Sequence, residues 1–273
     1  MLKPIIHDWN ECALDLRIAQ SSLIGFDLDN TLACSRKPML LPMAESLSNL
    51  MNELPVAIIT GGCLSLVQSQ ILDMLLPGTQ LNHLHIMPTN GTSYYRIDSH
   101  KMLHCVYEHR INAEQTRCVI AAIQQCAKHM GVWKESGDPM LWGNQIEHRG
   151  SQITFSALGQ LAPIEYKKAW DPTGVLKAKL AQSIALALPE FAVRAGGDTS
   201  VDVYRRGDDK AQALRMLAQY GDFAIERITF IGDRMTPGGN DYPTAFTGAL
   251  AVHVTSPIDT LKLCNNVLTH FHK

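Results

Sequence analysis

Asp27 and Asp29 close the apolar run Leu23 to Phe26, with Thr31 next. At strand spacing, side chains two residues apart point to the same side and can share one site. Other segments carry groups of matching chemistry. Thr60-Gly61-Gly62 ends the run "VAII", Lys210 opens a late helical segment, Asp233 follows "RITFIG", and Asn240-Asp241 lies further on. These groups suit phosphoryl transfer. A carboxylate, Asp27, can attack phosphorus and form an aspartyl phosphate. It approaches a phosphate dianion only where positive charge offsets the repulsion, which Lys210 and a hard cation would supply. Mg²⁺ takes oxygen ligands, and Asp27, Asp29 (through a nearby backbone carbonyl), Asp233, Asn240 and Asp241 offer them. The Thr60 hydroxyl and the backbone around Gly61 and Gly62 can hold the transferred phosphoryl oxygens. Asp29 can protonate the leaving oxygen and later activate the acceptor. Each signal alone has a duller reading: a turn, a helix cap or a solvated lysine. Their joint order at successive strand ends favours chemistry.

The elements that must position these groups alternate. Residues 8–20 have helical spacing, "SLIGF" reads as a buried strand and Met43–Leu54 as a helix. "VAIIT", a helix over 64–76 and the strand "HLHIMP" follow. Strands alternating with helices predict a parallel sheet covered on both faces. After Asn90 the pattern changes. "TSYYRI" and "MLHCVYE" read as a hairpin, 112–130 as a helix, and "NQIEHRGSQITFSAL" as a hairpin about Arg149-Gly150. A helix over 173–188 and paired strands around Gly196-Gly197 complete this middle third. The parallel pattern then returns with a helix at 209–219, the strand "RITFIG", a helix near 241–247, the strand "ALAVHVT" and a closing helix. The expected fold is α/β: a Rossmann-like parallel-sheet core, residues 1–91 and 208–273, interrupted by an inserted α+β unit, residues 92–207. In such sheets sites lie beyond the carboxyl ends of the strands, where the candidate residues fall.

Composition narrows the classes. The 273 residues are 46% hydrophobic and 18% charged, which suits a well-buried globule, and the net charge of -2 gives no basic footprint for nucleic acid. No apolar stretch is long enough to span a bilayer, and the N-terminal stretch carries acids where a signal peptide would be apolar. A cytoplasmic protein with neither nucleic-acid nor membrane partners is expected. The seven cysteines make no C-x-x-C pair, so reduced and mostly buried thiols are expected. The histidines of "HLH", His83 and His85, read as ordinary surface or loop residues.

"FDLDNT", "IITGG", Lys210 and "IGDRMTPGGNDY" resemble, in order, the four motifs of the haloacid dehalogenase superfamily. The insertion resembles its larger α/β cap. The resemblance is closest to the eukaryotic-type phosphomannomutases and related phosphosugar phosphatases. It implies that Asp27 is the nucleophile, Asp29 the acid/base, Mg²⁺ the cofactor, and a small phosphate ester the substrate. It also implies a homodimer through the cap. Arg36 and Arg149 match arginines of that family that grip sugar phosphates, and Ser200 and Asp202 match its serine and aspartate. At two further arginine positions this chain has Gln160 and Lys167. Glutamine lacks charge, and lysine lacks the guanidinium fork. A weakened distal grip harms a mutase more than a phosphatase, so hydrolysis of a phosphorylated sugar or similar small metabolite is the expected reaction. Phosphomannomutase-type isomerisation is the alternative, and a non-enzymatic binding protein the third reading.

Overall fold

The computed structural model describes residues 3–271, so the outermost residues of the expected core, 1–2 and 272–273, lie outside that range. The chain opens with β1 (Ile6–Asp8), α1 (Leu14–Ile18), β2 (Leu23–Phe26), α2 (Leu41–Glu53), β3 (Val56–Ile59), α3 (Leu64–Gln70) and β4 (Leu84–Met87). Next come β5 (Ser93–Ile97), β6 (Leu103–Glu108), α4 (Ala113–His129), β7 (Ile146–His148), β8 (Gln152–Ser156), α5 (Ile164–Trp170) and α6 (Val175–Ala187). It closes with β9 (Phe191–Ala195), β10 (Ser200–Arg205), α7 (Lys210–Gly221), β11 (Ile228–Gly232), β12 (Leu250–His253) and α8 (Pro257–Leu268).

Two compact units result, residues 1–107 with 209–273, and residues 108–208. The first is built on an eight-stranded sheet of order β1-β12-β11-β2-β3-β4-β5-β6. Pairing is parallel from β1 through β4, and β5 joins β4 antiparallel. The short runs "LIGF", "VAII", "LHIM" and "ITFIG" are buried throughout, as strands covered on both faces must be. Successive β2 residues feed opposite faces. Ile24 and Phe26 pack with apolar residues of α1, α2 and α8, whereas Leu23 packs with Ala213, Leu214 and Leu217 of α7.

The second unit carries an antiparallel sheet, β7-β8-β10-β9. Ile153, Phe155, Val201 and Val203 face a core made with α4 and α6. The alternate residues are polar, including Gln152, Thr154, Ser156, Ser200 and Asp202. Asn112 starts α4 with a capping box: its side chain accepts from the Gln115 amide, and the Gln115 side chain accepts from Asn112.

Several expectations are corrected. The hairpin β5–β6 continues the core sheet, with His85 opposite Arg96 and Ile86 opposite Tyr95, instead of opening the insertion. Residues 8–20 are not one helix: β1 ends at Asp8, and Ala13 in the left-handed region (φ 59°) delays helix entry. Strand β1 and helix α5 were not expected. His85 is no surface residue. It is buried, its Nδ1 lies 2.7 Å from the Tyr94 hydroxyl, and burial pushes its pKa down to about 3. Of the cysteines only Cys126 and Cys264 are buried, whereas Cys12, Cys34, Cys105 and Cys118 are exposed. Most cysteines fall on turns, edges and outer helix faces, where their apolar character gains little.

Candidate active site

Three strand ends of the core unit and the start of α7 build the centre. The Asp27 amide donates to the Ile231 carbonyl, which ties the end of β2 to its neighbour β11. This places Asp27 beside the segment that carries Asp233. Helix α7 begins at Lys210, and the Asp209 side chain caps it by accepting from the Gln212 amide at 2.9 Å. Lys210 is wholly buried. Its Nζ donates to Asp27 Oδ1 at 2.5 Å and to Asp241 Oδ1 at 2.6 Å. Asp241 Oδ2 in turn accepts from the Arg234 amide at 2.9 Å. Gly232 and Gly239 of this segment are steric necessities. A Cβ on Gly232 would stand 2.5 Å from Asp241 Oδ2, and one on Gly239 would overlap the Arg234 carbonyl oxygen.

The charges do not cancel. Carboxylate oxygens of Asp27, Asp233 and Asp241 all lie within 4.8 Å of one another, against a single ammonium. Burial pushes Asp27 up to about 8, with Lys210 opposing and Asp241 and Asp233 adding to the rise. Asp233 is likewise raised, by burial first and by Asp241 next. Burial works against the Lys210 charge, but Asp241 and Asp27 outweigh it and hold its pKa above the usual lysine range. Asp233 Oδ1 and Asn240 Oδ1 are buried and accept no hydrogen bond among the described residues. An excess of buried negative charge with orphaned oxygens and oxygen-only donors fits a hard divalent cation.

Asp29 does not join this cluster through its carboxylate. Its Oδ1 accepts from the Arg36 amide at 3.0 Å and from Gln70 Nε2 at 3.4 Å. The Arg36 side chain is exposed, and its backbone is left-handed (φ 57°). Thr60 is buried at the end of β3, and its Oγ1 accepts from the Gly62 amide at 3.0 Å. The Gly61 amide carries no Cβ beside it, and a Cβ there would meet Asn90 Oδ1 at 3.5 Å. Gln70 and Gly232 had no signal in the sequence. One is a second glutamine in "VQSQ", the other a strand-end glycine, and both matter only through distant partners.

In the second unit, the Arg149 guanidinium donates twice to Glu147 Oε2, at 3.0 and 2.6 Å. Thr154 Oγ1 donates to Asp202 Oδ1 at 2.7 Å, and Ser200 and Ser156 share a 3.0 Å hydroxyl contact. Burial raises Asp202, against that threonine hydrogen bond. Lys167 Nζ donates to the Gln160 carbonyl at 3.0 Å. The residues expected to bind substrate here therefore fall into three polar pairs, Arg149–Glu147, Thr154–Asp202 and Ser156–Ser200, and a lysine turned onto the Gln160 carbonyl.

The family model described as "Eukaryotic phosphomannomutase" matches residues 43–270. The phosphomannomutase of Spinacia oleracea is 25% identical over 249 residues, covering 89% of this chain and 94% of that protein. Among solved structures, an N-terminally truncated, IMP-bound IMP-nucleotidase of Plasmodium falciparum superposes with a TM-score of 0.66 at 15% identity, over 93% of this chain and 71% of that one. A haloacid dehalogenase-like hydrolase from Bacteroides thetaiotaomicron gives 0.58 at 18% identity, over 89% of this chain and 92% of that one. The two structures share the fold; the family match extends through both units and includes Lys210, Asp233 and Asp241. With a buried lysine shared between the carboxylates of Asp27 and Asp241, this chain belongs to the eukaryotic phosphomannomutase family and is a phosphoryl-transferring enzyme of the haloacid dehalogenase type.

Proposed function

We propose that the chain moves a phosphoryl group on a hexose phosphate through an aspartyl phosphate at Asp27, in the manner of a phosphomannomutase. The observation that supports this best is the buried Asp27–Lys210–Asp241 arrangement within a chain matched to that family over both units. The family match favours this mutase reading over hydrolysis.

In the proposed reaction the Asp27 carboxylate attacks phosphorus, and the ester P–O bond breaks as the acyl phosphate bond forms. Asp29 gives its proton to the leaving oxygen. In the second half, Asp29 takes the proton of an acceptor hydroxyl, that oxygen attacks the phosphoryl group, and Asp27 is regenerated. Lys210 fixes the Asp27 rotamer and offsets its charge. Thr60, with the amides at Gly61 and Gly62, is assigned the phosphoryl oxygens. Asp27, Asp233, Asn240 and Asp241, with the backbone at Asp29, would hold Mg²⁺. When bound, that ion neutralises the phosphate dianion facing Asp27. Arg36, Arg149, Ser200, Asp202 and Lys167 are assigned to substrate recognition.

The metal assignment makes a linkage prediction. An unfolded Asp ionises near 3.9, whereas folded Asp27 holds its proton to about 8. Between these values the folded state binds the extra proton, so stability of the metal-free protein falls as pH rises through that window. Mg²⁺ displaces the proton, so the Mg²⁺-induced rise in Tm is expected to be larger at pH 8 than at pH 6. Thermal melts in EDTA and in excess Mg²⁺ at both pH values check this. An equal or larger gain at pH 6 would contradict the assigned site.

Hydrolysis stays as a second reading because of one observation. Gln160 carries no charge where the family resemblance has an arginine, and Lys167 spends a hydrogen bond on the Gln160 carbonyl. A charge-assisted phosphate contact is worth roughly 1.5–3 kcal/mol, or about tenfold to a hundredfold in affinity. Gln160→Arg is therefore expected to tighten a hexose bisphosphate by that factor. The deciding measurement uses the unmutated protein with mannose 1-phosphate, Mg²⁺ and a bisphosphate activator. Faster formation of mannose 6-phosphate than of inorganic phosphate is expected. The reverse order would put hydrolysis first.

A further inference from the structure

Gln70 is the last residue of α3 and is almost wholly buried. Its Nε2 donates to the Lys37 carbonyl at 2.9 Å and to Asp29 Oδ1 at 3.4 Å. Both neighbours are acceptors, which fixes the amide orientation: nitrogen, not oxygen, must lie between them. The Gln70 carbonyl accepts from the Met39 amide at 3.0 Å. One residue thus holds the loop after β2 at Lys37 and Met39 and reaches the carboxylate of Asp29. The other end of its amide, Oε1, is buried and accepts no hydrogen bond among the described residues. A buried amide with one unpaired end is costly, and an apolar side chain of the same volume would avoid that cost. Apolar packing alone does not explain a glutamine here: its amide anchors the Lys37 carbonyl and reaches Asp29.

We infer that Gln70 is a positioning residue for Asp29. Its amide hydrogen steers the Asp29 carboxylate, while the Arg36 amide, in the same loop as Asp29, holds the same oxygen. The contact is long for a hydrogen bond, as those of unliganded sites often are before substrate tightens them. The inference rests on the proposed role of Asp29 as proton donor to the leaving oxygen.

Leaving-group dependence tests it. A series of aryl phosphates, from p-nitrophenyl to phenyl, is mixed with excess enzyme in Mg²⁺, and phenol release in a single turnover reads the first transfer alone. A working proton donor keeps the rate nearly independent of the phenol's pKa. Without it the poor leaving groups slow most. Asp29→Asn is expected to steepen that dependence. Gln70→Met keeps the volume and removes the donation, and is expected to steepen it in the same sense. Phenyl phosphate should slow by roughly tenfold to a hundredfold, and p-nitrophenyl phosphate far less. In the double variant, Gln70→Met should add no further steepening. A merely structural role would lower all rates in parallel. If Asp29→Asn steepens the series and Gln70→Met only shifts it in parallel, or not at all, the inference is wrong and the role of Asp29 stands. If Asp29→Asn leaves the slope unchanged, or the unmutated protein transfers from none of the series, the proposed mechanism fails and the inference with it. Gln70→Ala carries the same comparison should the methionine variant not fold, as judged by its melting transition.

Discussion

Asp27→Asn is expected to lower turnover by at least roughly 10⁴-fold, on the scale seen when other enzymes lose a covalent nucleophile. The amide has no anionic oxygen with which to attack phosphorus. It does not disturb β2, whose residues are buried and paired on both sides by backbone bonds. Above pH 8, where Asp27 is ionised, asparagine also removes one charge from an overcrowded acidic pocket, so there the variant is expected to melt at or above the parent temperature in EDTA. Beryllofluoride, which mimics an aspartyl phosphate, should raise the Tm of the parent and leave the variant unmoved. Turnover above one hundredth of the parent rate in a clean preparation would assign the nucleophile elsewhere.

Removing the lysine should cost both activity and stability. In Lys210→Met, two carboxylate oxygens lose the one cation that lies 2.5 and 2.6 Å away, in a place without solvent. Stripping one partner from a buried ion pair typically costs about 3–5 kcal/mol, which corresponds to a fall in Tm on the order of 10 °C. The fall should deepen as pH rises, because at low pH the orphaned carboxylates can take up protons instead. Mg²⁺ is expected to return part of the loss by supplying charge. Lys210→Arg should rescue poorly, since a planar guanidinium does not fit a cavity shaped around one ammonium. A methionine variant that keeps its Tm within a few degrees in EDTA at pH 8 would show that the pair contributes little.

The sequence carries the core plainly where burial is two-sided. A run such as "VAII" bounded by Pro55 and Thr60-Gly61 can be little else than a covered strand. The catalytic candidates were legible for the same reason: a polar residue that ends such a run is forced to the sheet's edge. What failed was information carried by partners far along the chain. The alternation in "TSYYRI" announces a hairpin but not that it pairs with β4. The three residues of β1 acquire meaning only beside β12, about 240 positions later. His85 sits in a strand whose two faces are both covered, so its alternation with Leu84 and Ile86 says nothing about solvent. The loop that turns the Asp29 carboxylate toward Arg36 and Gln70 could not be seen from spacing alone.

The sheet order has a consequence for how the chain is made. Strand β2 ends at Phe26, yet its neighbour β11 begins only at Ile228. At ribosomal speeds of about 5–20 residues per second, the bare edge of β2 waits roughly 10–40 seconds for its partner. During that interval a buried-type strand, with every side chain apolar or glycine, shows unpaired amides and carbonyls to any neighbour. Nascent or truncated chains that end before β11 are therefore expected to aggregate or to occupy chaperones. A nonsense mutation just ahead of Ile228 should be more harmful in the cell than an outright absence of the gene product.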